Sequence, residues 1–204
     1  ADSQGNLVAG TDAGAARDTD TLCNIMIGMG AGKALNAGDC NVFLGFCAGQ
    51  SETTGQENVF IGKKAGNCSI GNNCNTFIGN ETGRNFCRGA FNVAIGEASL
   101  YGGDDGAGTH MCESIFIGAK AGRPARQGNN SIFLGTYVGK NVSNTAYFNI
   151  AIGACSALGK TSGQTIGSNN VLLGRATAKC LTSGSANAII GGYSGWRLES
   201  GGYN

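Results

Sequence analysis

The stretch Asn41-Val42-Phe43-Leu44-Gly45-Phe46-Cys47-Ala48-Gly49 returns seventeen residues later as Asn58-Val59-Phe60-Ile61-Gly62-Lys63-Lys64-Ala65-Gly66. It returns again as Asn75-Thr76-Phe77-Ile78-Gly79-Asn80-Glu81-Thr82-Gly83. Aligned on the Gly that closes each apolar triplet, the same position recurs at Gly10, Gly28, Gly45, Gly62, Gly79, Gly96, Gly118, Gly135, Gly153, Gly174 and Gly191. Eleven copies of a unit of mostly 17 residues therefore run over 6–195, with a lead at 1–5 and a tail at 196–204. A short fixed period of this kind is the sequence signature of a solenoid.

The columns of the repeat carry the physics. Four residues before each anchor stands Asn in nine copies, including Asn24, Asn41, Asn58, Asn75 and Asn92, and Ser114 and Ser131 replace it in two. Three apolar residues closed by Gly read as a short strand and a corner, the Gly supplying positive φ. No stretch keeps a 3.6-residue apolar period, and 37 Gly would each cost a helix interior about 1 kcal/mol, so a helical protein is excluded. One unit cannot bury its own apolar residues, and stacking on the next coil does. The sequence predicts an all-β protein, a parallel β-solenoid of about eleven 17-residue coils and roughly 50 Å in length at the strand spacing. The Asn column is expected to pass amide hydrogen bonds from coil to coil.

Alternation along each strand sets Phe43, Phe60, Phe77, Phe116 and Phe133 on one face and their β-branched or Leu neighbours on the other. A strand apolar on both faces should be buried on both. The expectation is that the β-branched face fills the coil beside the Ala column (Ala31, Ala48, Ala65, Ala121), and that the Phe column points out as a subunit interface. Such a stripe exceeds the roughly 300–600 Å² a monomer tolerates, so the coil is expected in a homo-oligomer. A loop covering the stripe, or Phe inside with the β-branched face outside, are the alternatives. Neither end is long enough for a polar cap, which points to end-to-end stacking or a section of a longer fibre. Trp196, in Trp196-Arg197-Leu198-Glu199, either docks on the next subunit or covers the last coil.

Nine Cys are many for a reducing compartment. Cys23, Cys40 and Cys74 share one column, and adjacent rungs bring Cys23 and Cys40 within disulfide range, so a Cys23–Cys40 bridge is predicted. A bridge of this kind implies an extracellular, periplasmic or virion-surface setting. There is no C-x-x-C pair, and His110 is the lone histidine, so no metal or other cofactor is expected. The insertion from Gly102 to Met111 reads as a solvated loop, and Asp104-Asp105-Gly106 within it supplies too few oxygens for Ca²⁺. A net charge of +1 argues against nucleic acid or an anionic membrane as partner. No apolar run reaches the roughly 18–20 residues of a membrane span. The glycine-rich Gly28-Met29-Gly30-Ala31-Gly32-Lys33 lacks phosphate-loop spacing, and no Thr-x-Thr column suits an ice-binding face. No catalytic constellation can be assembled around one histidine, so no enzyme is expected.

Asn92-Val93-Ala94-Ile95-Gly96-Glu97-Ala98-Ser99 and Asn149-Ile150-Ala151-Ile152-Gly153-Ala154-Cys155-Ser156-Ala157 resemble the head repeat of trimeric autotransporter adhesins. The Asn-x-Phe-Ile-Gly-x-x-Ala-Gly version is similar to repeats of phage and marine-virus tail fibres. The resemblance implies a left-handed β-roll, three chains side by side, and an adhesive or spacer role without catalysis. The 17-residue period is longer than the adhesin head's, and no stalk, anchor or fibre-attachment domain is read here, which favours a stand-alone subunit. The expected function is a structural subunit of a self-assembling extracellular filament or virion fibre, partnered by itself as homotrimer or filament. The alternative is an adhesin or receptor-binding tip for surface glycans, with the two longer units, Gly96–Gly118 and Gly153–Gly174, as the binding protrusions.

Overall fold

A computed structural model of the chain describes residues 1–102, 110–123, 129–140, 147–158, 167–181, 183–198 and 200–202. The described residues form thirteen strands of three residues: β1 (Leu7–Ala9), β2 (Ile25–Ile27), β3 (Val42–Leu44), β4 (Val59–Ile61), β5 (Thr76–Ile78), β6 (Arg88–Ala90), β7 (Val93–Ile95), β8 (His110–Cys112), β9 (Ile115–Ile117), β10 (Ile132–Leu134), β11 (Ile150–Ile152), β12 (Val171–Leu173) and β13 (Ala188–Ile190). Eleven of them form one parallel sheet, β1-β2-β3-β4-β5-β7-β9-β10-β11-β12-β13, a strand per coil. The register is that of the repeat: Leu44 lies beside Ile61, and Ile61 beside Ile78. The chain is thus a parallel β-solenoid. β6 and β8 pair as a second, two-stranded parallel sheet, so the backbone of His110 belongs to a strand beside Arg88 rather than to a loop. Asp104 to Gly106 and most of the longer unit after Gly153 lie outside the described residues.

Each strand stops after three residues because the anchor Gly cannot be extended L-backbone. Gly62 has φ +132°, and a Cβ there would lie 2.4 Å from the carbonyl oxygen of Gly79 in the next coil. Ladder bonds tie the coils on both sides of the strand, for example Val59 N–H to the Asn75 carbonyl and Gly62 N–H to the Leu44 carbonyl, both 2.8 Å.

The Asn column is a buried ladder. Asn58 Oδ1 accepts from the Asn75 backbone N–H (3.0 Å) and from Asn75 Nδ2 (3.2 Å). Asn58 Nδ2 donates to Asn41 Oδ1 (3.0 Å) and to the Asn72 carbonyl fourteen residues on (2.6 Å). One side chain therefore satisfies the next coil and its own far turn, which is why full burial of so polar a residue is tolerated. Ser114 and Ser131 carry the ladder through, each Oγ accepting from the next coil's N–H (3.3 and 3.2 Å) and donating within its own coil. At the first coil Asp2 occupies the role of a preceding Asn. Its carboxylate accepts from the Asn6 N–H (2.8 Å) and Asn6 Nδ2 (3.2 Å), and Arg17 Nε sits 3.3 Å from it.

The interior is aromatic, and here the structure reverses the sequence expectation. Phe43, Phe60 and Phe77 are wholly buried, and Phe116 and Phe133 nearly so. They are core residues of a single chain and not a subunit interface. The rings stack from coil to coil at 5.1 Å (Phe43–Phe60), 4.9 Å (Phe60–Phe77) and 5.2 Å (Phe116–Phe133), the rung spacing being close to that of offset aromatic stacking. The reason is room. In the Phe coils the small residue three past the anchor and the glycine four past it clear a ring-wide slot opposite the strand centre, and only the middle residue of a three-residue strand points into it. Where the centre is Ala94, Leu100 and the edge-on Phe86 fill the space.

The described residues after Gly195 also return to the eleventh coil instead of standing apart as a tail. The Gly201 carbonyl accepts from the Ser185 N–H (3.1 Å) and Asn187 Nδ2 (3.1 Å). Trp196 stacks on Tyr193 of its own coil, with ring centroids 5.1 Å apart.

Candidate functional site

With Phe inside, the first and third residues of every sheet strand face out. These two columns are aliphatic in every coil except for Thr76, and they include Ile25, Leu44, Ile61, Ile117, Ile152 and Ile190. Leu44, Ile117 and Ile152 are each 40% exposed, which is high for residues hydrogen-bonded into a sheet on both sides. At about a third exposure each, two aliphatic columns over eleven coils present an apolar stripe on the order of 1,000 Å², against roughly 300–600 Å² for the largest patch of an ordinary monomer.

Two corner columns flank the stripe. Before the strand, five residues ahead of the anchor, stand Gly5, Cys23, Cys40, Glu57, Cys74, Phe91, Glu113, Asn130, Phe148, Asn169 and Ala186, all with φ between +56° and +81° or, for Cys74, +55°. After the strand, two residues past the anchor, a second left-handed column includes Asp12, Lys64, Glu81, Lys120, Tyr137 and Tyr193. Both columns turn the chain away from the sheet edge, so the stripe is bordered on both sides by corner side chains. Phe91 and Phe148, 61% and 58% exposed, extend the apolar surface on the leading side.

All nine cysteines are free thiols. The predicted Cys23–Cys40 bridge is absent, and the geometry gives the reason. Both residues hold the same φ of 57°, so their Cα–Cβ bonds run parallel and the Cβ atoms stay a rung apart, about 4.8 Å, beyond the roughly 3.5–4.5 Å of a disulfide. Loss of hydration, with Cys23, Asp39 and Glu57 alongside, also pushes the Cys40 thiol above its ordinary range, so it is held protonated. Cys74 is raised by the same loss of hydration and by its hydrogen bond to Glu57. No group of three or more metal-ligating side chains occurs among the described residues. The buried carboxylate of Glu52 is taken up by the backbone N–H groups of Thr53 (3.1 Å), Gly55 (2.9 Å) and Gly71 (2.6 Å) on Oε1 and of Asn72 (3.3 Å) on Oε2, which makes it a turn-former.

Cations and rings alternate on the side that follows the strand. Arg123 lies 4.3 Å from the Tyr101 ring centre, Lys179 4.6 Å from Trp196, and Lys120 donates to the Tyr137 hydroxyl at 3.2 Å. No described helix is long and apolar enough to cross a membrane. Sequence reasoning held the aliphatic columns as the outer face only as an alternative, and it missed the non-glycine residues of both left-handed corners. The signal that finds the first is the glycine six residues after each Phe, which clears the slot a ring needs inside the coil.

The fold and this face define a β-solenoid repeat protein with one apolar side. No protein family, curated protein or solved structure matches the chain.

Proposed function

We propose that the chain is a non-enzymatic structural subunit that self-associates through its sheet face, as part of an extracellular filament or virion fibre. One observation carries the reading. Of the fifteen large apolar residues exposed on the described chain, nine lie on the sheet strands or in the two corner columns, and four more (Leu22, Met29, Phe46 and Tyr147) stand one residue from a corner. A stable interface needs about 800 Å² per partner, and the stripe offers that much in one continuous, flat band. The setting outside the cell rests on the resemblance of the repeat to adhesin heads and tail fibres, and nine free thiols add nothing to it.

Light scattering on the purified chain is the test. The wild type is expected as an oligomer at about 10 μM and above, and Ile61→Lys with Ile117→Lys should release monomers that keep the far-ultraviolet spectrum, since both side chains point to water. A wild type that stays monomeric at about 100 μM would sink the reading.

A glycan-binding tip is the second reading. It is favoured by the exposed Tyr193–Trp196 stack between Arg175, 5.6 Å from the Tyr193 ring centre, and Lys179, a platform suited to an anionic sugar. Sugar binding lost in Trp196→Ala while the oligomer persists would support it.

A further inference from the structure

The borders of the stripe carry charge in a pattern that fixes how a second copy can sit on it. On the leading corner and the position before it, the described acids are Asp39, Glu57 and Glu113, and no Lys or Arg is present. On the trailing corner stand Lys63 and Lys64 in the coil of Glu57, and Lys120 in the coil of Glu113. A leading Glu is thus matched by a trailing Lys seven residues later in the same coil, both times it occurs. Glu57 and Glu113 are exposed, and Lys64 and Lys120 are half-buried.

Two copies related by rotation about an axis parallel to the rods place the leading corner of one against the trailing corner of the other, coil for coil. We infer that neighbouring copies of this chain pack with rods parallel and coils in register, Glu57 of one copy facing Lys64 of the next and Glu113 facing Lys120. The inference rests on the self-association reading and adds its geometry.

The remaining charges agree with that alignment. The other trailing-side charges, Asp12, Glu81, Glu97 and Arg175, meet Gly5, Cys74, Phe91 and Asn169, so no like pair arises. A slip of one coil in one direction sets Glu57 against Glu81 while bringing Asp39 to Lys63 and Lys64, and a slip in the other sets Glu113 against Glu97. Either slip leaves the aliphatic columns equally well covered, because every coil repeats them. Charge therefore has to select the register: aligned coils make both Glu–Lys pairs with no like pair, whereas each nearest slip loses both and sets two carboxylates together. Packing with rods antiparallel brings leading corner to leading corner, where the carboxylates find no cation. In the single chain these groups have only light engagements: Glu57 accepts from the Cys74 thiol at 3.4 Å, Asn130 donates to Glu113, and Lys120 rests on Tyr137.

A zero-length carbodiimide reagent, which joins carboxylate to amine, tests this on an equal mixture of ¹⁴N- and ¹⁵N-labelled wild-type chain. Mixed-isotope conjugates Glu57–Lys64 and Glu113–Lys120 are expected. They cannot form within one chain, because the two corners stand across the strand, roughly 20 Å apart. Oligomers whose conjugates join different coils, such as Glu57 to Lys120, or that yield none, overturn the register while leaving self-association intact. A monomer overturns both. Charge reversal gives a second readout. Glu57→Lys and Lys64→Glu should each weaken association about tenfold, and the double variant should return to within about twofold of the wild type. A double variant as weak as its two singles combined overturns the pairing.

Discussion

Phe60 and Gly66 share one slot. A Cβ on Gly66 would stand 2.5 Å from the Phe60 ring, in a backbone with φ +56°. The same dependence links Phe43 to Gly49, Phe77 to Gly83, Phe116 to Gly122 and Phe133 to Gly139, whereas Ala94, Ala151 and Leu172 are followed by Leu100, Ala157 and Ala178. Every ring at a strand centre therefore comes with a glycine six residues on, although Val8, Met26 and Ile189 are also followed by Gly14, Gly32 and Gly195. Gly66→Ala should cost about 2–3 kcal/mol in urea unfolding, from the clash and the left-handed backbone together. In a Phe60→Leu background the added cost should fall to about 1 kcal/mol, because Leu172 and Ala178 already coexist. Equal costs in both backgrounds would show that the two sites are independent. This coupling was present in the sequence, yet alternation says only that Phe and its neighbours face opposite ways. Which way is inward depends on where the glycines leave space, and that needs the φ of each corner. The corners themselves were hard to read, since ten of the eleven leading ones are non-glycine residues in the left-handed region, among them Glu57, Cys40 and Phe91.

Within each coil, the element that the sequence identifies most fully is the Asn-to-Gly triplet. It marks every strand of the main sheet and its register, because the period of the pattern is the period of the hydrogen bonding. The return half of the coil was legible only in part. Among the described residues its paired strands, β6 and β8, have no common composition, and the segment after Trp196 looks unlike its predecessors although Gly201 accepts from Asn187 as Gly184 does from Asn170. What holds the return half to the strand is the Asn side chain. Asn58→Ala would leave the Asn75 N–H, the Asn75 amide and the Asn72 carbonyl short of a partner in a dry interior, a loss of about 3 kcal/mol. Asn58→Ser should cost less than Asn58→Ala, since Ser114 and Ser131 pass on the coil-to-coil bond. It should still free the Asn72 carbonyl, because a serine Oγ donates within its own coil. Urea unfolding orders the three proteins, and a serine variant as unstable as the alanine one would mean that the fourteen-residue reach to the turn is the dominant part.

Over the whole rod each coil touches only its neighbours, so stability is a sum of local coil terms and nearest-neighbour contacts, and the ends have half the contacts of the middle. At the first coil Asp2 makes up part of that deficit by accepting from Asn6 as an earlier Asn would. Its hydrogen bonds to the Asn6 backbone, ahead of those from Asn6 Nδ2 and Arg17, hold its carboxyl below the ordinary value of 3.8. The sign follows from the lowered pKa: the folded form binds the proton less readily than the unfolded one. The contribution is therefore complete above the unfolded value and disappears as pH falls through the lowered one. Amide exchange at Asn6 and Leu7 should accordingly speed up on acidification below about pH 4, while Asn58 and Val59 in the fourth coil keep their protection. Asp2→Asn retains an oxygen for the Asn6 N–H but has no carboxyl to titrate, so its first coil should open at a rate that acid does not change beyond the intrinsic exchange. Protection lost evenly along the rod, or lost equally in Asp2→Asn, would show that acid acts on the stacked coils as a body and that the Asp2 carboxylate does not secure the first one.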